Sequence, residues 1–307
     1  MDSIKVFSPG SVTNLSCGYD ILGFCLDKVG DTITVTKTPE KGVKISSIDK
    51  YNLPTNINQN VAGIAAQAMI KDINLDYGFD IKIKKGIKPG SGIGSSAASS
   101  AGVVFAINKL IDSPFSDTEL IRFAMEGEKF VSGSYHADNV SPILLGGFTL
   151  VRSVKDLDII KLPNPKGLIA TIIRPEIELK TSDSRKVVKS KVTIDKMVQQ
   201  SANLAAFISS LYTEDYDLMS NSIVDEIIEP DRALLIPEFY NIKDISIKSG
   251  AIACGISGSG PAIFALSKSN KIANDILNKM SSHFSSVNID YNGFVSIINS
   301  EGVKVID

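Results

Sequence analysis

Three short stretches of the chain alternate apolar and polar residues at period two: 4–8 (IKVFS), 31–37 (DTITVTK) and 79–84 (FDIKIK). That spacing puts every second side chain on one face, so each stretch predicts a half-buried strand. Elsewhere the period changes. NVAGIAAQAMIK at 60–71 is small, apolar and helical in spacing, and 95–110 predicts an Ala-rich helix that continues a glycine loop. Ser116-Asp117-Thr118-Glu119 has capping-box spacing, which predicts a helix start before LIRFAMEGEKFVSG. SPILLGGFTLV at 141–151 predicts a strand or hairpin.

A Lys/Asp-rich break with LPNPKG at 162–167 predicts a domain boundary, giving one unit over 1–160 and another over 161–307. The second unit begins with the strand GLIATIIRP and continues with helical segments at about 193–212 and 232–248. ACGISGSGPAIFALS reads as two strands about a glycine turn, followed by a helix near 270–284 and a last strand, FVSIINS. No internal repeat or low-complexity tract interrupts this pattern. Strands followed by helices in two successive blocks predict a two-domain α+β protein.

At 307 residues the chain is long enough for real cores. Its 32 basic and 34 acidic residues leave a net charge of −2, so there is no electrostatic case for nucleic acid or an anionic membrane. No apolar run reaches the roughly 20 residues that span a bilayer, and MDSIKVFSPGS lacks the basic-then-apolar order of a signal peptide. Cys17, Cys25 and Cys254 form neither a CxxC nor a metal spacing, which suits a reducing compartment. With two histidines, His136 and His283, a His-rich metal site is excluded. The expectation is a soluble, cytoplasmic protein.

Chemistry concentrates in three glycine-dense loops. KPGSGIGSSAASSAG at 88–102 is not GxxxxGK[ST], and its glycines, spaced two apart, do not make GxGxxG. A glycine turn feeding a helix start leaves unpaired N–H groups and a positive dipole end at one spot, an anion site suited to phosphate. The glycines alone fit a tight turn and a closely packed small-residue helix equally well. In SPGSVTNLSCGYDILGF at 8–24, Asn14 and Asp20 read either as turn formers or as the lining of a polar pocket. GISGSGPAIFA at 255–265 is the third loop. On the predicted helix after Ser116, Glu128 interrupts the apolar stripe of Ile121, Ala124 and Val131, and Glu126 falls on the solvated side. An inward carboxylate needs a partner, and Mg²⁺ or a lysine would serve.

In order and spacing, PGSVTNLSCGYDILGF, PGSGIGSSAAS and GISGSGPAIF resemble the three motifs of the GHMP small-molecule kinases. GSYHADNVSPILLGG, IELKTSDSR and IIEPDRALLIP are similar to the branch of that family that acts on homoserine. The likeness runs from about residue 6 to residue 266. It implies a two-domain GHMP-kinase fold, with a ribosomal-protein-S5-like N-terminal domain and a ferredoxin-like C-terminal domain. It implies Mg²⁺-ATP-dependent phosphorylation of the side-chain hydroxyl of L-homoserine, feeding threonine synthesis, in a homodimer.

By the same resemblance, Pro89, Gly90, Ser91, Gly92, Ile93, Gly94, Ser95 and Ser96 wrap the ATP phosphates, and Ser96 and Glu128 hold Mg²⁺. Asn60 matches an adenine contact, with helix capping as its other reading. Arg185 and Arg232, two of only five arginines, match the binders of the substrate carboxylate. Asp20 takes the ammonium group, Asn14, His136, Asn139 and Gly258 orient the rest, and Thr181 lies near the transferred phosphate. Asn139 stands where mevalonate kinase and galactokinase have an aspartate base, so the implied mechanism has no dedicated protein base. Asp138 remains a rival, although the family pattern points it elsewhere. The chain departs from that pattern at Gly10, at Ser16-Cys17 (usually Gly-Pro), at Tyr19 (usually Phe) and at Ile93 (usually Leu). Two alternatives stay open: a GHMP kinase of mevalonate or sugar type, and a non-catalytic nucleotide-binding sensor.

Overall fold

A computed structural model describes residues 2–179 and 181–307, and of Thr181 and Ser182 the backbone only. Among the described residues, seven strands form one sheet and four form another. The first contains β1 (Ser3–Thr13), β2 (Leu22–Thr38), β3 (Gly42–Ile48), β4 (Gly78–Lys84), β5 (Phe148–Ser153) and β6 (Asp158–Leu162). Helices α1 (Val61–Ile70), α2 (Ser95–Leu110), α3 (Asp117–Ser132) and α4 (Val140–Leu145) belong to the same stretch of chain.

The second sheet contains β7 (Ile169–Pro175), β8 (Ala253–Ile256), β9 (Ile263–Ser267) and β10 (Tyr291–Ile297), in the order β10-β7-β9-β8 with all neighbours antiparallel. The same stretch of chain carries α5 (Thr181–Lys186), α6 (Ile194–Thr213), α7 (Tyr216–Ser222), α8 (Glu229–Arg232), α9 (Phe239–Lys248) and α10 (Asn270–Ser286). The last strand, β11 (Lys304–Val305), returns to pair with β1 in the first sheet. No helix among the described residues is long and apolar enough to cross a membrane.

Period-two alternation explains how the sheets are covered. On β7 and β9, Ala170, Ile172, Phe264 and Leu266 join the core beneath the first sheet, while Ile173, Ile263 and Ala265 join a second core with Phe239, Ile276, Met280 and Phe284. The four-stranded sheet is therefore apolar on both faces and shares one face's core with the other half of the molecule. The three cysteines are buried and free, and burial pushes the Cys17 and Cys254 thiols up to about 12.

Helix α2 lies close against β1 and β2 because its inner face is made of Ala, Ser and Gly. A Cβ at Gly102 would come within 2.5 Å of Ile33 and 2.7 Å of Ser8. The start of this helix is tied down by a buried ion pair. Lys85 Nζ donates to Asp31 Oδ2 (2.5 Å), to Ser99 Oγ (2.9 Å) and to the Ser95 carbonyl (3.0 Å), and Ser99 Oγ also donates to Asp31 (2.7 Å). The other Asp31 oxygen accepts the Gly86 and Ile87 amides. One carboxylate thus fixes the end of β4, the start of the glycine loop and the first turns of α2.

The capping box at Ser116 forms as expected, with Glu119 closing it. Three expectations are corrected. Residues 141–145 of the supposed strand belong to α4, which ends at Gly146 with φ 71°, so only the later part is strand β5. The segment 232–248 is not one helix: Pro237 interrupts it, Ile236 is extended, and α9 starts only at Phe239. Val131 is 57% exposed, so it does not continue the buried stripe of α3. Strands β3, β6 and β11 and helices α5 and α7 were not anticipated.

Removing one partner of a buried pair leaves the other charge without compensation. Asp31→Ala is expected to cost about 3–5 kcal/mol of stability, and adding Lys85→Met to recover part of that loss. Urea unfolding of the three proteins measures both.

Candidate functional site

A cavity of about 300 Å³ is lined by the glycine loop, by β1 and α3 of the first half, and by Arg185, Arg232, Gly258 and Ser259 of the second. It has three differently built regions.

The first is the start of α2. Gly90, Gly92 and Gly94 take φ of 68°, 81° and 72°, values that favour glycine. At Gly92 space also demands it, since a Cβ would meet the Gly260 and Ser257 carbonyls at 2.7 and 2.8 Å. Ser257 Oγ donates to the Gly92 carbonyl (2.7 Å), so the third glycine-rich loop braces the second. No side chain caps α2, and its first amides have no acceptor within the helix. Pro89, Gly90, Ser91, Gly92, Gly94, Ser95 and Ser96 line the cavity. Ile93 does not: its side chain is buried in the core on the far side of the loop. Ser95 is committed locally, donating to the Ile87 carbonyl (2.9 Å), whereas Ser96 is half-buried at the cavity wall.

The second region is apolar, formed by Ile48, Leu53, Pro54, Val61, Ile83 and Val131. Asn60 sits at its edge. It caps α1, accepting from the Ala62 amide (2.9 Å) and donating to the Pro54 carbonyl (2.8 Å), so capping occupies its side chain.

The third region gathers the polar residues that the sequence scatters most widely. A run of left-handed residues, Asn14 (φ 72°), Leu15 (44°) and Ser16 (55°), turns the chain back to Asp20 (φ 59°). Such strain persists only where the surroundings hold it. Asn14 holds it here, accepting the Asp20 amide (2.9 Å) and donating to the Gly258 carbonyl (2.6 Å). Arg185 grips Asp20 through two hydrogen bonds, 3.1 and 3.2 Å. Arg232 is buried and donates to the Ser184 and Gly258 carbonyls (3.1 and 3.0 Å). Its guanidinium lies 4.9 Å from the centre of the Tyr19 ring. The Tyr19 hydroxyl accepts from Arg232 (3.4 Å) and from Arg185 (3.5 Å), so it joins the two arginines. His136 Nδ1 is 3.9 Å from Asp20, and burial lowers the imidazole's pKa.

Between these regions stand two buried carboxyls. Glu128 Oε1 and Asp138 Oδ1 have no hydrogen-bond partner. Burial pushes Glu128 up to about 7, against the pull of the Ser96 hydroxyl, and pushes Asp138 up to about 7, with the charge of Asp20 adding to it. Among the described residues no three His, Cys, Asp or Glu side chains gather to form a metal cage. Two unsatisfied carboxyl oxygens and the Ser96 hydroxyl nevertheless fit Mg²⁺, a hard cation that keeps several waters and binds through one or two carboxylates plus substrate phosphates. Asn139 accepts from Ser11 Oγ (2.8 Å), and its amide lies 3.5 Å from Thr13 Oγ1. The Thr181 side chain lies outside the described residues.

The structure thus brings Asn14, Asp20, Asn60, Glu128, His136, Asn139, Arg185, Arg232 and Gly258 to one cavity with seven of the eight loop residues. Two residues not assigned from the sequence join them: Lys85 lines the wall, and the Tyr19 hydroxyl links the two arginines. Asp225 acts from behind, accepting the Ile227, Ile228 and Glu229 amides and so setting the short helix that carries Arg232. Only Tyr19, standing where the pattern has Phe, carried a signal.

Residues 60–147 match the family model described as GHMP kinases N terminal domain, and residues 207–286 match GHMP kinases C terminal. The chain is 37% identical to homoserine kinase of Chlorobium phaeobacteroides (strain BS1), over all of both chains. It is 39% identical to homoserine kinase of Methanococcus vannielii, over 89% of this chain and 90% of that one. The crystal structure of homoserine kinase from Cytophaga hutchinsonii superposes with a TM-score of 0.96 at 42% identity, covering 100% of this chain and 98% of that one. Galactokinase of Lactococcus lactis, complexed with galactose, shares the fold at 14% identity and a TM-score of 0.71, over 99% of this chain and 95% of that one.

The two raised carboxyls set a pH dependence. Their folded pKa values of about 7 stand above the ordinary 4.5 and 3.8, so the native state keeps protons that the unfolded chain has released. Stability of the ligand-free protein therefore falls as pH rises through that window. Glu128→Gln and Asp138→Asn should each raise the melting temperature by several degrees at about pH 8, on the order of 3 kcal/mol, and little at about pH 4. Calorimetry at the two pH values checks this; equal shifts at both would contradict it.

Proposed function

The chain belongs to the GHMP kinase family and is an ATP-dependent small-molecule kinase, and we propose that its acceptor is the side-chain hydroxyl of L-homoserine. One observation carries this reading: Asp20, Arg185 and Arg232 converge at one end of the cavity whose wall is the uncapped start of α2. An amino-acid head group needs an anion for its ammonium and a guanidinium for its carboxylate. A sugar needs neither, and mevalonate has no ammonium to offer Asp20. The homoserine kinases to which the chain is similar support the same choice. We read 1–160 and 161–307 as the two domains: the first carries the phosphate end, and both contribute to the substrate end.

In this reading the amides of the glycine loop and of the first turn of α2 bind the ATP phosphates, and the apolar region receives the base. Ser96 and Glu128 are the residues that would hold Mg²⁺, with Asp138 beside them; the ion neutralises phosphate charge when bound. Arg232, Arg185 and Asp20 fix the head group, so that the hydroxyl is presented toward the phosphate end. Asn139 is neutral and accepts no proton near pH 7; its amide orients the acceptor, held by Ser11. The hydroxyl oxygen forms the new bond to phosphorus as the bond to the bridging oxygen breaks, and the hydroxyl proton passes to the transferred phosphate. With a loose transition state, alignment and charge neutralisation supply most of the rate.

A second reading of the proton's route has its own observation. Asp138 lines the cavity with one oxygen unpartnered and a pKa near physiological pH, rather than pointing elsewhere. Asp138→Asn separates the two: kcat should fall by less than about tenfold if phosphate takes the proton, and by about 10²–10⁴ if Asp138 does.

ADP release should follow addition of L-homoserine with Mg²⁺-ATP and not of mevalonate or galactose; turnover of either other alcohol alone would replace the acceptor. Arg232→Ala should raise KM for L-homoserine by at least about 30-fold, with KM for ATP within about threefold. An unchanged KM for L-homoserine would remove Arg232 from the carboxylate site.

A further inference from the structure

The two charges that a zwitterion would contact at this site are already paired with each other. Arg185 Nη1 and Nη2 donate to the two oxygens of Asp20 at 3.2 and 3.1 Å, and each side chain is 29% exposed. Arg232 differs. Its hydrogen bonds among the described residues go to neutral oxygens: the Ser184 and Gly258 carbonyls and the Tyr19 hydroxyl. The site therefore offers one guanidinium free of a carboxylate partner, and one closed cation–anion pair.

The two halves of that pair are not equally movable. Asp20 is held by its backbone, with φ 59° and its amide on Asn14, which is itself anchored to Gly258. Arg185 reaches Asp20 from the short helix α5 along a flexible side chain. If the pair opens, Arg185 is the part that moves.

We propose that the Asp20–Arg185 pair is an internal competitor that makes the site selective for α-amino acids over hydroxy acids lacking the amine. This rests on the reading of the acceptor given above. A zwitterion can replace both halves at once, its ammonium on Asp20 and its carboxylate on Arg185 and Arg232. A hydroxy acid without the amine can take Arg185 only by leaving the half-buried Asp20 unpaired. His136 does not already satisfy Asp20, because its Nδ1 stands 3.9 Å from the carboxylate, beyond hydrogen-bond distance. Selectivity then comes from what the wrong ligand leaves unsatisfied.

The test compares kcat/KM for ADP release with L-homoserine and with 4-hydroxybutanoate, its analogue without the amine, in four proteins: wild type, Asp20→Asn, Arg185→Gln and the double variant. Asparagine tolerates the left-handed backbone at position 20, so the first substitution keeps the fold. Asp20→Asn should lose at least about 30-fold on L-homoserine. On 4-hydroxybutanoate it should gain about three- to fivefold, the worth of a half-exposed ion pair. In the Arg185→Gln background the same substitution should give no gain, because there is no arginine left to release. A gain that persists there would reduce Asp20 to a remote negative charge and overturn the proposal, as would no gain in Asp20→Asn alone. Wild-type protein that uses neither acceptor would instead overturn the acceptor reading, and this inference with it.

Discussion

The buried pair between Asp31 and Lys85 is the constraint on which the phosphate end of the cavity depends. The glycine loop cannot fix its own shape, because three of its residues are chosen for conformational freedom. Its two ends must be held from outside. Asp31 does this from β2, gripping the amides of Gly86 and Ile87 before the loop, while Lys85 reaches the Ser95 carbonyl after it. With a 2.5 Å contact and near-complete burial of both side chains, the pair tolerates little displacement. An anion site made of backbone amides needs this stiffness, because misplaced amides lose most of their effect.

The substrate end is built on the opposite principle. Two of its charges, Asp20 and Arg185, are partly exposed, paired with each other, and mounted on a strained turn and a short helix. Rigid parts surround them: Asn14 locks the turn, Asp225 locks the helix under Arg232, and Tyr19 packs against the Arg232 guanidinium. A rigid receptor for phosphates thus faces a receptor for the head group whose contacts can be exchanged. Between them burial raises Glu128 and Asp138 to about 7, so a bound cation would favour their charged forms.

Much of this architecture is legible in the chain. The alternation of β1, β2 and β4, the small-residue run of α2 and the capping box of α3 are local signals, and local signals survive folding. The apolar run before β5 folds as α4 and not as a strand, because a short apolar stretch fits either a strand or a buried helix. Edge elements such as β3, β6 and β11 were missed because their stability comes from neighbours distant in sequence. The site divides in the same way. The glycine loop and the motif residues could be assigned by pattern. The pairing of Asp20 with Arg185, 165 residues away, could not, nor could that of Asp31 with Lys85, 54 residues away. No local pattern records which charge meets which.

In the proposed function one cavity presents an amino-acid hydroxyl to a phosphate held at the start of α2. A crystal structure with L-homoserine, Mg²⁺ and a non-hydrolysable ATP analogue tests it most directly. The homoserine carboxylate should lie on Arg232 and Arg185, its ammonium on Asp20, and its hydroxyl oxygen about 3–3.5 Å from the γ-phosphorus. A head group bound away from Asp20, or phosphates bound away from the glycine loop, would contradict it.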